Sequence, residues 1–297
     1  MSEALAGSER PVDYYLAETL DGLYAPYAMR TPADEGQFPF VFLAYGNGGG
    51  GLTWLRERVH RYRPITDRLL GAGYACAWAR YRTEVELGYL RGGPLAIQTR
   101  QGMELMSRSP LEFEDELAIL RDVAQHPLID PDRLCHVGVS HAGEMLFKLL
   151  AQYPGVLRAG VAVEPANHEF LNLALEDDAP VQTAGMRDIE NLQLRDSGGV
   201  RARMRDVAAI DRLLARVDIP VMVVGREQDE LQGIFRLSYE LLAQHRADAE
   251  WRSWAHEVHG YVFPVVGETG EPLVDEVQAQ ALDAIVDFLN RHASRRG

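Results

Sequence analysis

The sequence predicts an α/β fold in which a mostly parallel central sheet is flanked by helices. From about residue 38 onward, short apolar runs alternate with longer amphipathic ones, which is typical of a parallel sheet with helices on its faces. The chain has 297 residues, 46% of them apolar, which is enough to bury one large core. No internal repeat interrupts this alternation. We therefore expect a single domain over residues 1–297.

The first predicted element is a hairpin within an N-terminal extension, residues 1–37. The stretch VDYYLAETLDGLYAPYAMR alternates around Asp21-Gly22, a dipeptide that favours tight turns between antiparallel strands. The hairpin is expected to lead into the sheet.

The remaining elements follow from the period of the apolar positions. Short apolar runs predict strands at FPFVFLAY (38–45), YACAWARY (74–81), LCHVGV (134–139), AGVAVEP (159–165), PVMVVG (220–225) and AEWRSWA (249–255). Helical spacing predicts helices at 53–71, 111–126, 141–153, 232–246 and 275–293. A charged segment at about 168–217 fits neither pattern and is long enough to form a helical cap, or lid insertion, over one end of the sheet.

Charge and composition narrow the classes of partner. The chain has 30 Lys plus Arg and 44 Asp plus Glu, a net charge of −14, which disfavours nucleic acid and anionic membranes. No signal-like apolar region opens the sequence, so we expect a cytoplasmic protein. Cys76 and Cys135 lie in strand-like runs and are expected to pack in the core, and no metal or other cofactor is predicted. The oligomeric state, homo-oligomers included, stays open.

The stretch CHVGVSHAGEM (135–145) suggests a nucleophile. It matches Gly-x-Ser-x-Gly around Ser140, except that Ala142 stands at the last position. A strand-like run enters the motif and a helix-like run leaves it, which is the strand–turn–helix setting of a nucleophile elbow. Small residues two places before and after the serine avoid collisions at this sharp turn, and both Gly138 and Ala142 are small.

A serine nucleophile needs a base and an acid, and in this arrangement the acid precedes the histidine in the chain. Both follow late predicted strands. HEVHGY supplies His259, preferred over His256 because it lies farther from the strand end. REQDELQ supplies Asp229 as the acid, to hold the tautomer of the base, with Glu227 and then Glu230 as alternatives.

An oxyanion hole would complete the predicted site. One donor is the backbone N–H of His141, directly after the serine, and the glycine run AYGNGGGG (44–51), with Gly48 in it, would supply the other. The same run matches Gly-x-Gly-x-x-Gly by letter, so nucleotide binding is an alternative. It lacks the Lys of a phosphate-binding loop and leaves Ser140 unexplained.

These motifs resemble the α/β-hydrolase superfamily, and within it the prolyl-oligopeptidase-like, dienelactone-hydrolase-like and esterase-like catalytic domains. The resemblance covers residues 38–293 and rests on YGNGG (45–49), GYACAWARYR (73–82), LIDPDRLCHVGVSHAG (128–143), VDIPVMVVGREQD and HEVHGY. It implies Ser140 as nucleophile, Asp229 as acid and His259 as base. It also implies Asn47 and His141 as oxyanion donors.

The resemblance further implies the family's sheet order, in which the strand at 38–45 lies between those at 74–81 and 134–139. Cys76 and Cys135 would then lie on strands separated by a third strand, too far apart to form a disulfide. Three features depart from the family pattern. Ala142 replaces a glycine, Asp229 falls one residue later than is usual after Gly225, and the β-propeller of many family peptidases has no counterpart in segment 1–37.

The function expected from these features is hydrolysis of carboxylic esters of small or medium size through an acyl-enzyme. A peptidase or amidase is the alternative within the same chemistry, with a short peptide as substrate. A non-catalytic ligand-binding protein with this fold is an alternative of another class. Candidate substrate-binding residues are Trp54, Asn167 and His168, which follow the carboxyl ends of predicted strands.

Overall fold

A computed structural model describes residues 1–5, 8–45, 54–79, 109–174, 194–263, 265–266 and 272–293. The strands within these ranges are β1 Ser2–Glu3, β2 Val12–Glu18, β3 Tyr24–Arg30, β4 Phe38–Ala44, β5 Ala75–Ala79, β6 Ile129–Val139, β7 Ala159–Val163, β8 Val221–Glu227, β9 Glu250–Ala255, β10 Val265–Val266 and β11 Pro272–Leu273. The helices are α1 Trp54–Gly71, α2 Ser109–Val123, α3 His141–Gln152, α4 Ser197–Ala202, α5 Val207–Leu214, α6 Gln232–Leu242 and α7 Glu276–His292.

Strands β1 to β9 form one sheet in the order β1-β2-β3-β5-β4-β6-β7-β8-β9. Pairing is antiparallel from β1 to β5 along this order and parallel from β5 to β9. The predicted hairpin and the position of β4 between β5 and β6 are confirmed. Val41 on β4 pairs with both Cys76 and Cys135, so the two free cysteines lie on either side of it.

Strand β6 begins earlier than predicted. Phe38 pairs with Ile129 and Phe40 with Leu134, so the register shifts where the chain passes through the Asp-Pro-Asp-Arg stretch. Asp130 bonds Arg133 at 2.8 Å within this bulge. Polar residues there interrupt the apolar run, which is why the sequence pattern starts the strand only at Leu134.

Helices cover both faces of the sheet. Helices α1 and α7 bury their apolar sides against one face, and α2, α3, α5 and α6 bury theirs against the other. The predicted helices are present, with ends that differ by a few residues. None of the helices in the described ranges is long and apolar enough to cross a membrane.

The predicted cap is only partly described, because residues 175–193 lie outside the described ranges. Its later part contains α4 and α5. The Gly233 N–H at the start of α6 donates to Leu194 O at 2.8 Å, which places the chain entering α4 directly on α6. Whether segment 168–217 covers a site stays a prediction.

A buried arginine fastens the N-terminal hairpin to α1. Arg30 on β3 is 1% exposed and donates to Thr66 Oγ1 and Asp67 Oδ1 at 2.7 Å each, and to Ser8 Oγ at 2.7 Å. Removing the carboxylate leaves a buried charge without its counter-ion, which is costly.

We expect Asp67→Ala to destabilise the fold by about 2 kcal/mol or more, because Arg30 keeps its buried charge. Arg63→Ala is the matched control: Arg63 also binds Asp67, at 3.1 Å, but is partly exposed, and its loss should cost less than about 1 kcal/mol. Urea unfolding of both variants measures the difference. Equal losses would show that the Arg30 pair adds nothing beyond the surface pair.

Candidate active site

Ser140 sits in a strained turn between β6 and α3. Its backbone has φ 57° and ψ −118°, a conformation that costs a non-glycine residue about 1–3 kcal/mol. Neighbouring backbone holds it there, since the Ser140 N–H donates to Val163 O at 2.8 Å and Ser140 O accepts from the Ala166 N–H at 3.0 Å. The side chain makes no capping hydrogen bond to α3. The strained residue therefore has a hydroxyl group that does not cap the helix.

The glycines around Ser140 are required by close contacts. A Cβ on Gly138 would collide with the backbone oxygen of Ala142 and lie 2.7 Å from its carbonyl carbon. A Cβ on Gly143 would lie 2.9 Å from Pro165 Cα. This second contact is with the turn after β7. Ala142 is fully buried, so its methyl group fits the turn.

His259, on the loop after β9, contacts two buried carboxylates with one nitrogen. Its Nδ1 forms a hydrogen bond of 3.1 Å with Asp229 Oδ2, in the loop after β8. The same Nδ1 lies 2.6 Å from Oε2 of Glu164, the residue directly after β7. Glu164 and Asp229 are 0% and 4% exposed, whereas the His259 side chain is 38% exposed. One nitrogen of the ring is thus held by the protein while part of the ring remains open to solvent.

Arg226, near the end of β8, organises this group. Its Nε and Nη2 donate to Asp229 Oδ2 at 2.9 and 2.6 Å, and its Nε lies 3.8 Å from Glu164 Oε2. Its Nη1 donates to the carbonyl oxygens of His256 and Glu257 at 3.0 and 3.2 Å. One guanidinium therefore fixes the acid-bearing loop and the histidine-bearing loop to each other.

The unusual spacing before Asp229 is absorbed by a left-handed residue. Strand β8 runs to Glu227, and Gln228 has φ 67°, which turns the chain back so that the Asp229 N–H donates to Arg226 O at 3.1 Å. Asp229 Oδ1 also accepts from the Leu231 N–H at 2.8 Å. The alternative acids Glu227 and Glu230 are exposed.

The loop that carries His259 rests against the turn at Ser140. The Gly260 N–H donates to Glu164 Oε2 at 2.9 Å, and Gly260 has φ 74° with Val139 only 3.1 Å from where a Cβ would stand. His256, the other histidine of this loop, points elsewhere and bonds Asp275 at 2.8 Å. The two histidines therefore have separate environments, and of the two it is His259 that contacts Glu164 and Asp229.

These contacts shift the ionisation of the group. Burial favours the neutral ring of His259, but the contacts with Asp229 and Glu164 outweigh it and raise the pKa of His259 above its usual range. Burial likewise opposes the charge on Asp229, yet hydrogen bonds from His259 and Leu231 N–H and the charge of Arg226 hold the pKa of Asp229 low. At neutral pH the acid is charged, and the histidine takes up a proton readily.

His141, directly after Ser140, begins α3. The first N–H groups of a helix have no partner inside it and attract negative charge, as an oxyanion donor requires. The His141 side chain is buried, with Nε2 2.6 Å from Glu112 Oε2 and Nδ1 3.7 Å from Glu144 Oε2. Burial disfavours the charged ring, but these two carboxylates outweigh that effect and raise the pKa of His141.

The remaining predicted residues differ in how far the structure describes them. Asn47 and Gly48 lie outside the described residues, and so does the side chain of Trp54, whose backbone starts α1. Asn167 and His168 follow β7 and are buried. The Asn167 amide donates to Ser238 Oγ at 2.8 Å, which ties this turn to α6. A substrate-binding role for these residues stays a prediction.

Sequence reasoning missed Glu164 and Arg226. Glu164 is the last residue but one of AGVAVEP, which the apolar pattern assigned to a strand, whereas the strand stops at Val163 and Glu164 has φ 47°. An acidic residue at the end of a fully apolar strand, next in order to the strand of Ser140, was the available signal. Arg226 could not be singled out, because charged residues are common after strands.

Glu164, Asp229 and His259 also satisfy the spacing of a metal site, with their ligand atoms within 4.8 Å of one another. Arg226 already supplies a cation to this group, 2.6 Å from Asp229 Oδ2. Arg226 therefore matches one of the two carboxylate charges and leaves the other for the ring of His259, which suits proton transfer better than metal binding.

No family model and no curated protein sequence matches the chain. Solved structures do match. A dipeptidyl peptidase 4 from Porphyromonas gingivalis has a TM-score of 0.62 at 16% identity over 95% of this chain. A thermophilic, thermostable carboxylesterase from a metagenomic library has 0.61 at 17% over 99%, and an acylaminoacyl peptidase 0.61 at 15% over 98%. Structures of this kind share the α/β-hydrolase fold, and the chain has that fold.

The matched proteins differ in length. The chain spans 36% of the dipeptidyl peptidase and 43% of the acylaminoacyl peptidase, but 92% of the carboxylesterase. At these identities the likeness establishes the fold and does not establish the activity.

We expect Gly138→Ala to destabilise the protein by about 1–3 kcal/mol, because the added methyl group overlaps the Ala142 carbonyl. Gly71→Ala at the end of α1 is the control, since a Cβ there has open space. Thermal unfolding compares the two. If Gly138→Ala has the same melting temperature as the wild type, the close contact between Gly138 and Ala142 at the turn is contradicted.

Proposed function

We propose that the protein is a serine hydrolase in which Ser140 is the nucleophile, His259 the base and Asp229 the acid. The observation that carries the proposal is the strained Ser140 turn, against which packs the loop of a histidine whose Nδ1 is bound by a buried carboxylate. Strain of this kind persists where function requires it. The order serine, acid, histidine along the chain agrees with the fold.

In the proposed reaction Ser140 attacks the carbonyl carbon of the substrate while His259 accepts its proton. The tetrahedral intermediate places negative charge near the start of α3, where the His141 N–H would stabilise it. Asn47 or Gly48 is the proposed second donor. His259 then protonates the leaving group. In the second half of the reaction water attacks the acyl-enzyme while His259 accepts its proton, and the acid is released as the proton returns to the Ser140 oxygen.

Asp229 keeps His259 in the tautomer that can accept a proton at Nε2. Because Asp229 accepts the Nδ1–H, Nε2 is the nitrogen left to react. The buried carboxylate also stabilises the imidazolium that forms during the reaction. Arg226 prevents Asp229 from turning away, since three of its nitrogens fix both loops.

Carboxylic esters of small or medium size are the proposed substrates. The carboxylesterase match extends over nearly the whole of both chains, which supports an esterase of about this size. Peptide or amide cleavage is the second candidate, supported by the matches to two peptidases. A non-catalytic binding protein would not need the strain at Ser140, so it is the least supported class.

A fluorophosphonate probe tests the nucleophile. We expect wild-type protein to be labelled and Ser140→Ala not to be, because the probe reacts with an activated serine hydroxyl. The control is Glu227→Gln, a change at an exposed residue at the end of β8, and this variant should be labelled normally. Asn167→Asp would not serve as a control, because Asn167 is buried. Equal labelling of wild type and Ser140→Ala would contradict the proposal.

A substrate panel separates esterase from peptidase. With p-nitrophenyl esters of increasing acyl length and matched aminoacyl and prolyl anilides, we expect a higher kcat/KM for the short esters. A preference for the anilides would support a peptidase instead of an esterase. If the probe labels the protein but neither the esters nor the anilides are hydrolysed, the substrate is another kind of acyl donor.

The pH dependence tests His259. Activity requires the neutral ring, and its pKa is raised, so we expect kcat/KM to fall with decreasing pH at a midpoint above about 6.5, the ordinary value for histidine. His256→Gln should keep this midpoint, since His256 binds Asp275 instead. A midpoint at or below the ordinary value would contradict the assigned contacts.

A further inference from the structure

Glu164 is a buried carboxylate that has no role in the mechanism proposed above. It is fully buried, its N–H donates to Val224 O at 2.6 Å, and its backbone has φ 47° directly before Pro165. A left-handed, non-glycine residue in a buried turn is held by its surroundings. The side chain it carries lies 2.6 Å from His259 Nδ1.

We infer that Glu164 is a second acidic positioning residue for His259, sharing with Asp229 the stabilisation of the imidazolium. The inference rests on the proposed function. Asp229 accepts the Nδ1–H hydrogen bond, and Glu164 adds a second negative charge at the same nitrogen.

The two carboxylates differ in how far hydrogen bonds compensate their negative charge. Asp229 Oδ2 accepts two hydrogen bonds from Arg226 as well as the one from His259, so much of its charge is already matched. Apart from its 2.6 Å contact with His259 Nδ1, Glu164 Oε2 accepts one hydrogen bond within the described residues, from the Gly260 N–H, and Arg226 is 3.8 Å away. Glu164 Oε1 has no hydrogen-bond partner in the part of the chain that the structure describes. The less compensated charge at His259 is therefore that of Glu164.

The charge balance of the cluster supports this division. The charged groups that face His259 from the described elements are Glu164 after β7 and Asp229 with Arg226 at β8. Tyr261 lies close by, and burial raises the pKa of its hydroxyl, so it stays neutral. Two carboxylates and one guanidinium leave one negative charge, and protonation of His259 cancels it. The cluster is thus neutral when the ring carries the proton taken from Ser140.

Single and double charge removal tests the inference. We expect Glu164→Gln and Asp229→Asn each to lower kcat about tenfold to a hundredfold, and the double variant to lower it by about 10⁴, the usual effect of losing the acid of a triad. Glu227→Gln is the matched control, an exposed Glu→Gln change on the neighbouring strand end, and should not alter kcat. Loss of the whole 10⁴ in Asp229→Asn alone would overturn the shared role.

The pH profile distinguishes charge stabilisation from a structural role. Because a carboxylate beside the ring favours its charged form, Glu164→Gln should move the acidic limb of kcat/KM to lower pH, and Glu227→Gln should leave it in place. An unchanged limb together with kcat within about twofold of wild type would overturn the inference.

A measurement without turnover separates this inference from the proposed function. In the Ser140→Ala background, titration of the His259 ring by NMR reports its pKa directly, and replacing Glu164 by Gln should lower that pKa whether or not Ser140 is a nucleophile. If Glu164→Gln does not fold, Glu164→Asp keeps the charge but withdraws it by one methylene and should also lower the pKa. An unchanged pKa in the folded variant overturns the role of Glu164, whereas persistent activity of Ser140→Ala overturns the proposed function.

Discussion

The close approach of β6 and β7 at their carboxyl ends is the constraint on which the candidate site depends. Backbone hydrogen bonds join Ser140 to Val163 and Ala166, and Gly143 lies against Pro165 without room for a side chain. The turn can therefore hold Ser140 in a conformation that an isolated chain would avoid. The same approach brings Glu164 to the site, because Glu164 directly follows the last residue of β7.

Around this turn the site is organised by charge rather than by apolar packing. Two buried carboxylates would repel each other, and Arg226 reduces that repulsion while it fixes the loops of Asp229 and His259. Burial makes each of these charges costly unless it is paired. The pairing leaves one charge to be met at His259, so the environment of the histidine is prepared for the proton that the proposed reaction gives it.

A second set of buried charges lies behind the turn, on the helix that follows Ser140. His141 is enclosed between Glu112 on α2 and Glu144 on α3, so the start of α3 is fixed by charged contacts in the core. Phe170 N–H also donates to Glu144, which links α3 to the turn after β7. The backbone N–H that would stabilise an oxyanion therefore belongs to a residue whose side chain cannot move freely, as a preorganised donor requires.

The sequence by itself determined the order of the strands and helices, the turn at Ser140, and which loops carry Asp229 and His259. These depend on local patterns: the apolar period, the small residues beside the serine, and chain order after late strands. Tertiary structure alone decided that Asp229 rather than Glu227 faces His259, because the left-handed Gln228 sets the direction of the loop. It also brought Glu164 and Arg226 to the histidine. Strands distant in sequence meet at one edge of the sheet, and no local pattern records which side chains then touch.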